Sequence, residues 1–212
     1  MLDPMDIAVY LNEIEYAASR VVESIWHERD EAERLRGEID RLRCTTEHDY
    51  DRARHIQETS EDADDVMLGV GIHWDTYFGS DKEQFYKTRE LEVLEDSLRT
   101  REFSVASLSG NLLNYAKQGL SAVYGSPANW PTGRRLGSQD LKTIILEARN
   151  QSEHWEEGNP WQKVEACFKA LEAEVGSQFG DYKTKNLAFE VVAALGWRSF
   201  SNFKNDMLAM QP

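Results

Sequence analysis

Proline and cysteine are scarce in this chain, and an excess of basic charge is missing altogether. Only five prolines interrupt 212 residues, so long stretches contain no residue that would break a helix. The two cysteines, Cys44 and Cys167, lie far apart and form no CxxC. That excludes a zinc knuckle and a disulfide framework, and it suits a reducing cytoplasm. There is no glycine-rich phosphate loop and no His-x-x-x-His pair. No apolar run approaches the length of a membrane span, and Met1 to Asp6 lacks the basic-then-apolar pattern of a secretory leader. These absences predict a cytoplasmic protein with no membrane association, no metal and no cofactor. Lys and Arg number 24 against 38 Asp and Glu, a net charge of −14. Such a balance argues against general nucleic-acid binding, which requires phosphate neutralisation. It leaves room for weak, salt-sensitive RNA contact at a small basic site. It also fits an acidic decoy or antitoxin that binds a basic protein.

What is present reads as helix throughout. Apolar residues make up 41% of the chain and charged residues 29%, enough for one well-cored domain and an extension. Ile7, Leu11, Ile14, Ala18, Val21, Ile25, Glu28, Ala32, Leu35, Ile39 and Leu42 alternate in steps of four and three. That is the seam of a coiled coil or a long helical hairpin arm, roughly 54 Å long if straight. Asp3 before Pro4 suits a helix start. The seam fades through Asp49, Ala53 and Ile56, and Thr59 to Asp62 reads as a break. An aromatic-rich tract from Val66 to Phe78, with His73 beside Trp74, then leads to a turn at Gly79–Asp81. A helix over 81–100 follows, with Phe85, Leu91, Leu94 and Leu98 as its buried stripe. Ser104 to Tyr124 reads as a separate amphipathic helix, where Gly110 and Gly119 allow close approach of a neighbour. Residues 128–137 read as a loop. Ser138 caps the next helix, whose core side is Leu141, Ile144, Ile145, Ala148, Ser152 and Trp155. A further helix starts at Asn159–Pro160 and buries Trp161, Val164, Phe168, Leu171 and Val175. Two short helices follow, near 187–195 and 199–210. With no alternating strand run, the expected fold class is all-α: a long arm over 1–65 and a helical bundle over 66–212.

One hexamer gathers chemistry: Arg149-Asn150-Gln151-Ser152-Glu153-His154, near a helix end. Arginine offers a planar cationic fork that matches phosphate geometry. Histidine exchanges a proton near neutral pH. The spacing by itself is not selective, because Arg20 to His27 and Arg43 to His48 repeat it loosely. Three features single out this copy: Asn150 follows its arginine, it lies on a compact apolar helix, and a capped boundary follows at Gly158-Asn159-Pro160. The adjacent Arg134 and Arg135 precede it, and Lys183 and Lys185 lie between later helices. These four are candidate substrate contacts.

The hexamer resembles the Arg-polar-x3-His signature of HEPN domains, a family of small helical bundles. Many are metal-independent ribonucleases of toxin–antitoxin and phage-defence systems. The likeness rests on Arg149, Asn150, His154 and their helical context, and it covers about the C-terminal half. It implies attack of an RNA 2′-hydroxyl on the neighbouring phosphate, with His154 moving the proton and Arg149 stabilising the phosphate charge. Asn150 would orient His154 or hold a phosphate oxygen. The products would carry a 2′,3′-cyclic phosphate and a 5′-hydroxyl. It also implies a homodimer in which two motif helices meet. Arg149 and His154 diverge by about 140° on an ideal helix, so a distorted helix end, a swung Arg149 or a second copy must bring them together. The competing expectations are a non-catalytic acidic interaction protein, with a protein partner on the N-terminal arm, and a HEPN-like module that binds RNA or nucleotide without cutting it.

Overall fold

The computed structural model describes the backbone of residues 6–59 and 63–210, and side chains over 6–44 and 85–210. The fold is all-α. α1 spans Ile7–Thr59 and α2 spans Ala63–Tyr124. A short hairpin of β1 (Arg135–Leu136) and β2 (Gln139–Asp140) then leads into α3 (Leu141–His154). α4 (Gln162–Glu174), α5 (Ala188–Ala194) and α6 (Phe200–Ala209) complete the chain. By contacts the chain divides into two compact units, 1–29 with 103–212, and 30–102. The boundary expected at 65/66 falls inside the second of these.

In the second unit the heptad seam is realised as an antiparallel helix pair. Ala32, Leu35 and Ile39 are buried. Arg36 reaches Glu102 and Arg43 reaches Glu95, each at 2.5 Å, so a step of seven along α1 matches a step of seven back along α2. Leu91, Leu94 and Leu98 are half-buried, while Phe85, expected on that stripe, is 60% exposed. The turn expected at Gly79–Asp81 and the separate helices at 81–100 and 104–124 are one helix. No proline lies in α2, and a single glycine followed by two polar residues costs a helix only about 1 kcal/mol. Residues 60–62 and the Asp3–Pro4 start lie outside the described residues, as do the side chains of Asp49, Ala53, Ile56, His73 and the 66–78 tract.

The first unit holds the large core. Trp197, Phe168, Phe179 and Phe203 are fully buried, together with Leu11, Ile25, Leu112, Leu113, Leu120 and Ile144. Each such side chain contributes about 1.5–3 kcal/mol. The α1 stripe shifts slightly from strict heptads, burying Tyr10 and Val22 while Ile14 and Val21 are half-buried. Trp26 pins α1 to the C-terminal helices: its Nε1 donates to Trp197 O (3.1 Å) and Arg198 stacks over its ring. Asp140, not Ser138, caps α3 by accepting from Thr143 N at 2.8 Å. Ser138 sits instead in the hairpin turn that sequence reading assigned to an irregular loop, and its N–H donates to Glu174. The strands are two residues each, too short to show an alternating pattern.

Gly119 lies against Tyr10, whose hydroxyl donates to Tyr115 O at 2.8 Å. A Cβ at Gly119 would stand 2.5 Å from Tyr10 Cε1. Burial pushes the Tyr10 hydroxyl pKa up to about 12, with Tyr115 adding to the shift. The ring has nowhere to go without losing that bond. Gly119→Ala is therefore expected to destabilise the chain by about 1–3 kcal/mol, read as a lowered Tm, whereas Gly37→Ala on open surface should leave Tm level or raise it.

Candidate functional site

The site is built where α3 ends. Leu141, Ile144, Ile145 and Ala148 bury one face of α3, and Gln151 continues that face as a buried polar residue. Its carboxamide donates to Tyr182 O (2.9 Å) and Lys185 O (2.6 Å) and accepts from Leu187 N (3.0 Å). Asn186 adds a bond from Nδ2 to Ser152 O (3.3 Å) and accepts from Ala188 N (3.0 Å) ahead of α5. The 182–187 segment is thus tied to the last turn of α3. At His154 the backbone leaves the helix (φ −130°, ψ 13°), and a 3-10 turn, Trp155–Glu157, follows. Gly158, at φ +65°, closes it with a left-handed residue that a side chain would strain.

A small, shallow cleft open to solvent results. Asn150, Gln151, His154, Glu157, Trp161 and Tyr182 are among its lining residues. His154 Nδ1 lies 2.8 Å from Glu157 Oε1, and its ring packs against Trp161 at 5.5 Å. A carboxylate on Nδ1 fixes the ring proton there and leaves Nε2 as the basic nitrogen. Glu157 was not foreseen, although its spacing of three from His154 on a helical turn was a usable signal.

Arg149 is not part of this cleft. Its Nη2 stands 3.9 Å from Glu153, its Nη1 3.5 Å from Asn150 Oδ1, and its buried Nε has no hydrogen-bond partner. The helix end does deviate, but beyond Arg149, so within one chain the structure does not bring Arg149 and His154 together. Asn150 borders both: it lines the cleft and meets Arg149. The four outer candidates are placed as follows. Arg134 forms a two-pronged pair with Asp206 (2.7 Å at each prong) and donates to Leu195 O (2.6 Å). Those bonds hold its pKa above the usual arginine value and make it a tie between the hairpin loop and the C-terminal helices. Arg135 is exposed on β1. Lys183 reaches Glu165 (3.4 Å) and covers the Tyr182 ring, while Lys185 pairs with Asp181 (2.7 Å). Only the two lysines flank a cleft residue. Trp161, expected in the core, is 59% exposed, because it is the N-cap of α4 rather than a residue of its buried stripe.

Among the described residues no group of three or more metal-ligating side chains occurs, and no helix is long and apolar enough to cross a membrane. Glu147 is buried beneath Asn150, and burial pushes its carboxyl above the usual range, opposed by Asn150 and by the Lys163 charge. A pKa raised on folding makes the folded chain hold the proton more tightly, so stability is greatest in acid and falls as pH rises through the folded value. Glu147→Gln removes this dependence. The variant should match the wild type in Tm near pH 4 and equal or exceed it near pH 7. A variant that loses stability only at neutral pH would show that the Glu147 charge is stabilising.

Comparison with known proteins returns no matching family, no matching curated protein and no matching solved structure.

Proposed function

We propose that this chain is a HEPN-type endoribonuclease, of the toxin or phage-defence kind, that cuts RNA without a metal and acts as a homodimer. The observation that carries the reading is His154, at an open cleft with Nδ1 held by Glu157 at 2.8 Å. Nε2 takes the proton of an RNA 2′-hydroxyl, and the freed oxygen attacks the neighbouring phosphorus. The O2′–P bond forms as the P–O5′ bond breaks. The 5′-oxygen leaves with a proton from the protonated imidazole of the second copy.

Arg149 supplies the positive charge. Its Nη groups make only two long contacts within the chain, which suits a guanidinium that takes a further acceptor from outside it. A two-fold pairing of α3 would set Arg149 of one protomer beside His154 of the other. The charge growing on the phosphate oxygens is then met by a fixed fork. Asn150, whose Oδ1 meets Arg149 Nη1, positions that fork. Lys183 and Lys185 lie along the path of a strand leaving past Tyr182, whereas Arg134 serves the fold.

A second reading is a non-catalytic acidic partner protein. It is favoured by Phe85, Tyr86 and Val93, about 60% exposed on α2 among Glu90, Glu92 and Asp96. A basic, apolar partner would suit that face, as an antitoxin would for a toxin.

His154→Ala is expected to lower cleavage at least about 100-fold with Tm unchanged, since the imidazole is partly exposed. EDTA should leave cleavage intact, and a deoxyribose at the cut position should block it. Expression of the wild type should arrest growth and the variant should not. Wild-type cleavage rates from His154→Ala would remove the mechanism.

A further inference from the structure

Trp161 is the largest side chain left open to solvent at the cleft. A tryptophan at an N-cap gains nothing for the helix: it accepts no capping hydrogen bond there. At 59% exposure its indole contributes little to the core. Yet it is not loose. One side of the ring rests on the His154 imidazole at 5.5 Å with the planes tilted by 35°. The preceding Pro160 also borders the cleft and fixes the approach of the chain. An apolar plane thus stands beside the His154 imidazole. Around it stand amide groups, Asn150 and Asn159, and the Tyr182 ring. Planar aromatic surface with amide hydrogen-bonding groups at its edge matches a heteroaromatic ring with polar edges. The cleft is open, which suits a segment of a longer chain passing through it.

We infer that Trp161 is the stacking platform for an unpaired nucleobase next to the scissile phosphate, so that the cleft takes single-stranded RNA. This rests on a nucleic-acid strand entering the cleft, as the ribonuclease reading requires. The imidazole occupies the inner face of the indole, so a base on the outer face is separated from His154 by that ring alone. A duplex cannot present a base in this way without unpairing it. Stacking tolerates every base, and so secures grip without demanding the basic surface that this acidic chain lacks.

The test is fluorescence anisotropy with the full chain and a labelled 2′-O-methyl RNA strand, which binds but cannot be cut. Trp161→Ala should weaken binding about ten-fold or more, and Trp161→Phe should hold it within about three-fold because a ring remains. A phosphodiester strand of abasic sugars should bind the wild type as weakly as the ordinary strand binds Trp161→Ala. Equal affinity for wild type and Trp161→Ala, or no binding by the wild type, overturns the inference. Cleavage of unmodified RNA measured in parallel separates the two ideas. Trp161-dependent binding without any cutting keeps the platform and removes the ribonuclease. Cutting with no effect of Trp161→Ala on binding or rate does the reverse.

Discussion

The site depends on one buried carboxamide. Gln151 satisfies three main-chain groups of the 182–187 segment from a position that is 2% exposed. Each of those groups would cost about 1–3 kcal/mol if left buried and unpaired. The segment has no regular structure to satisfy itself, so its shape is set by α3. Because Tyr182 belongs to that segment, the cleft wall is positioned by the same turn that carries His154. A rigid junction of this kind holds a proton-transfer group to its geometry better than a free loop would.

Charge works against the proposed substrate at that junction as elsewhere. Glu153, Glu156 and Glu157 surround His154, and the chain carries −14 overall. The cations near the site are mostly balanced: Lys183 by Glu165 and Lys185 by Asp181. Long-range attraction of a polyanion is therefore absent, and binding must come from short-range contacts. Those are a stacked ring, a poorly satisfied guanidinium and oriented amides. On the proposed function, such a balance would give a weak grip that favours strands able to lay a base against Trp161.

Much of the fold could be read from periodicity, because burial on one helix face repeats at 3.6 residues. The Leu141–Ala148 part of the α3 stripe and the Ala32–Leu35–Ile39 seam are buried as spaced, whereas Ser152 and Trp155 are half-buried and Gln151 takes the core side. The cleft side of α3 also follows from the wheel, since Asn150, Gln151 and His154 share a face that Arg149 leaves. What periodicity could not give were relations between distant residues. Nothing near Arg134 in sequence reveals that Asp206 holds it, so it read as a free cation. Trp161 read as core because it continues the spacing of Val164 and Phe168. Its place at the cap, outside the first helical turn, turns it outward. Gly79 to Asp81 read as a turn because local composition weighs glycine heavily. One glycine costs a helix only about 1 kcal/mol, and no proline is there to break it.

The central claim is that an imidazole at this cleft moves the proton of a 2′-hydroxyl, so the chemistry leaves a signature in the ends it makes. The decisive measurement is analysis of the termini of RNA cut by the purified wild type. The account predicts a 2′,3′-cyclic phosphate on the upstream fragment and a 5′-hydroxyl on the downstream one. A 3′-hydroxyl with a 5′-phosphate would mean that water, not the neighbouring hydroxyl, attacks, and it would contradict the role given to His154.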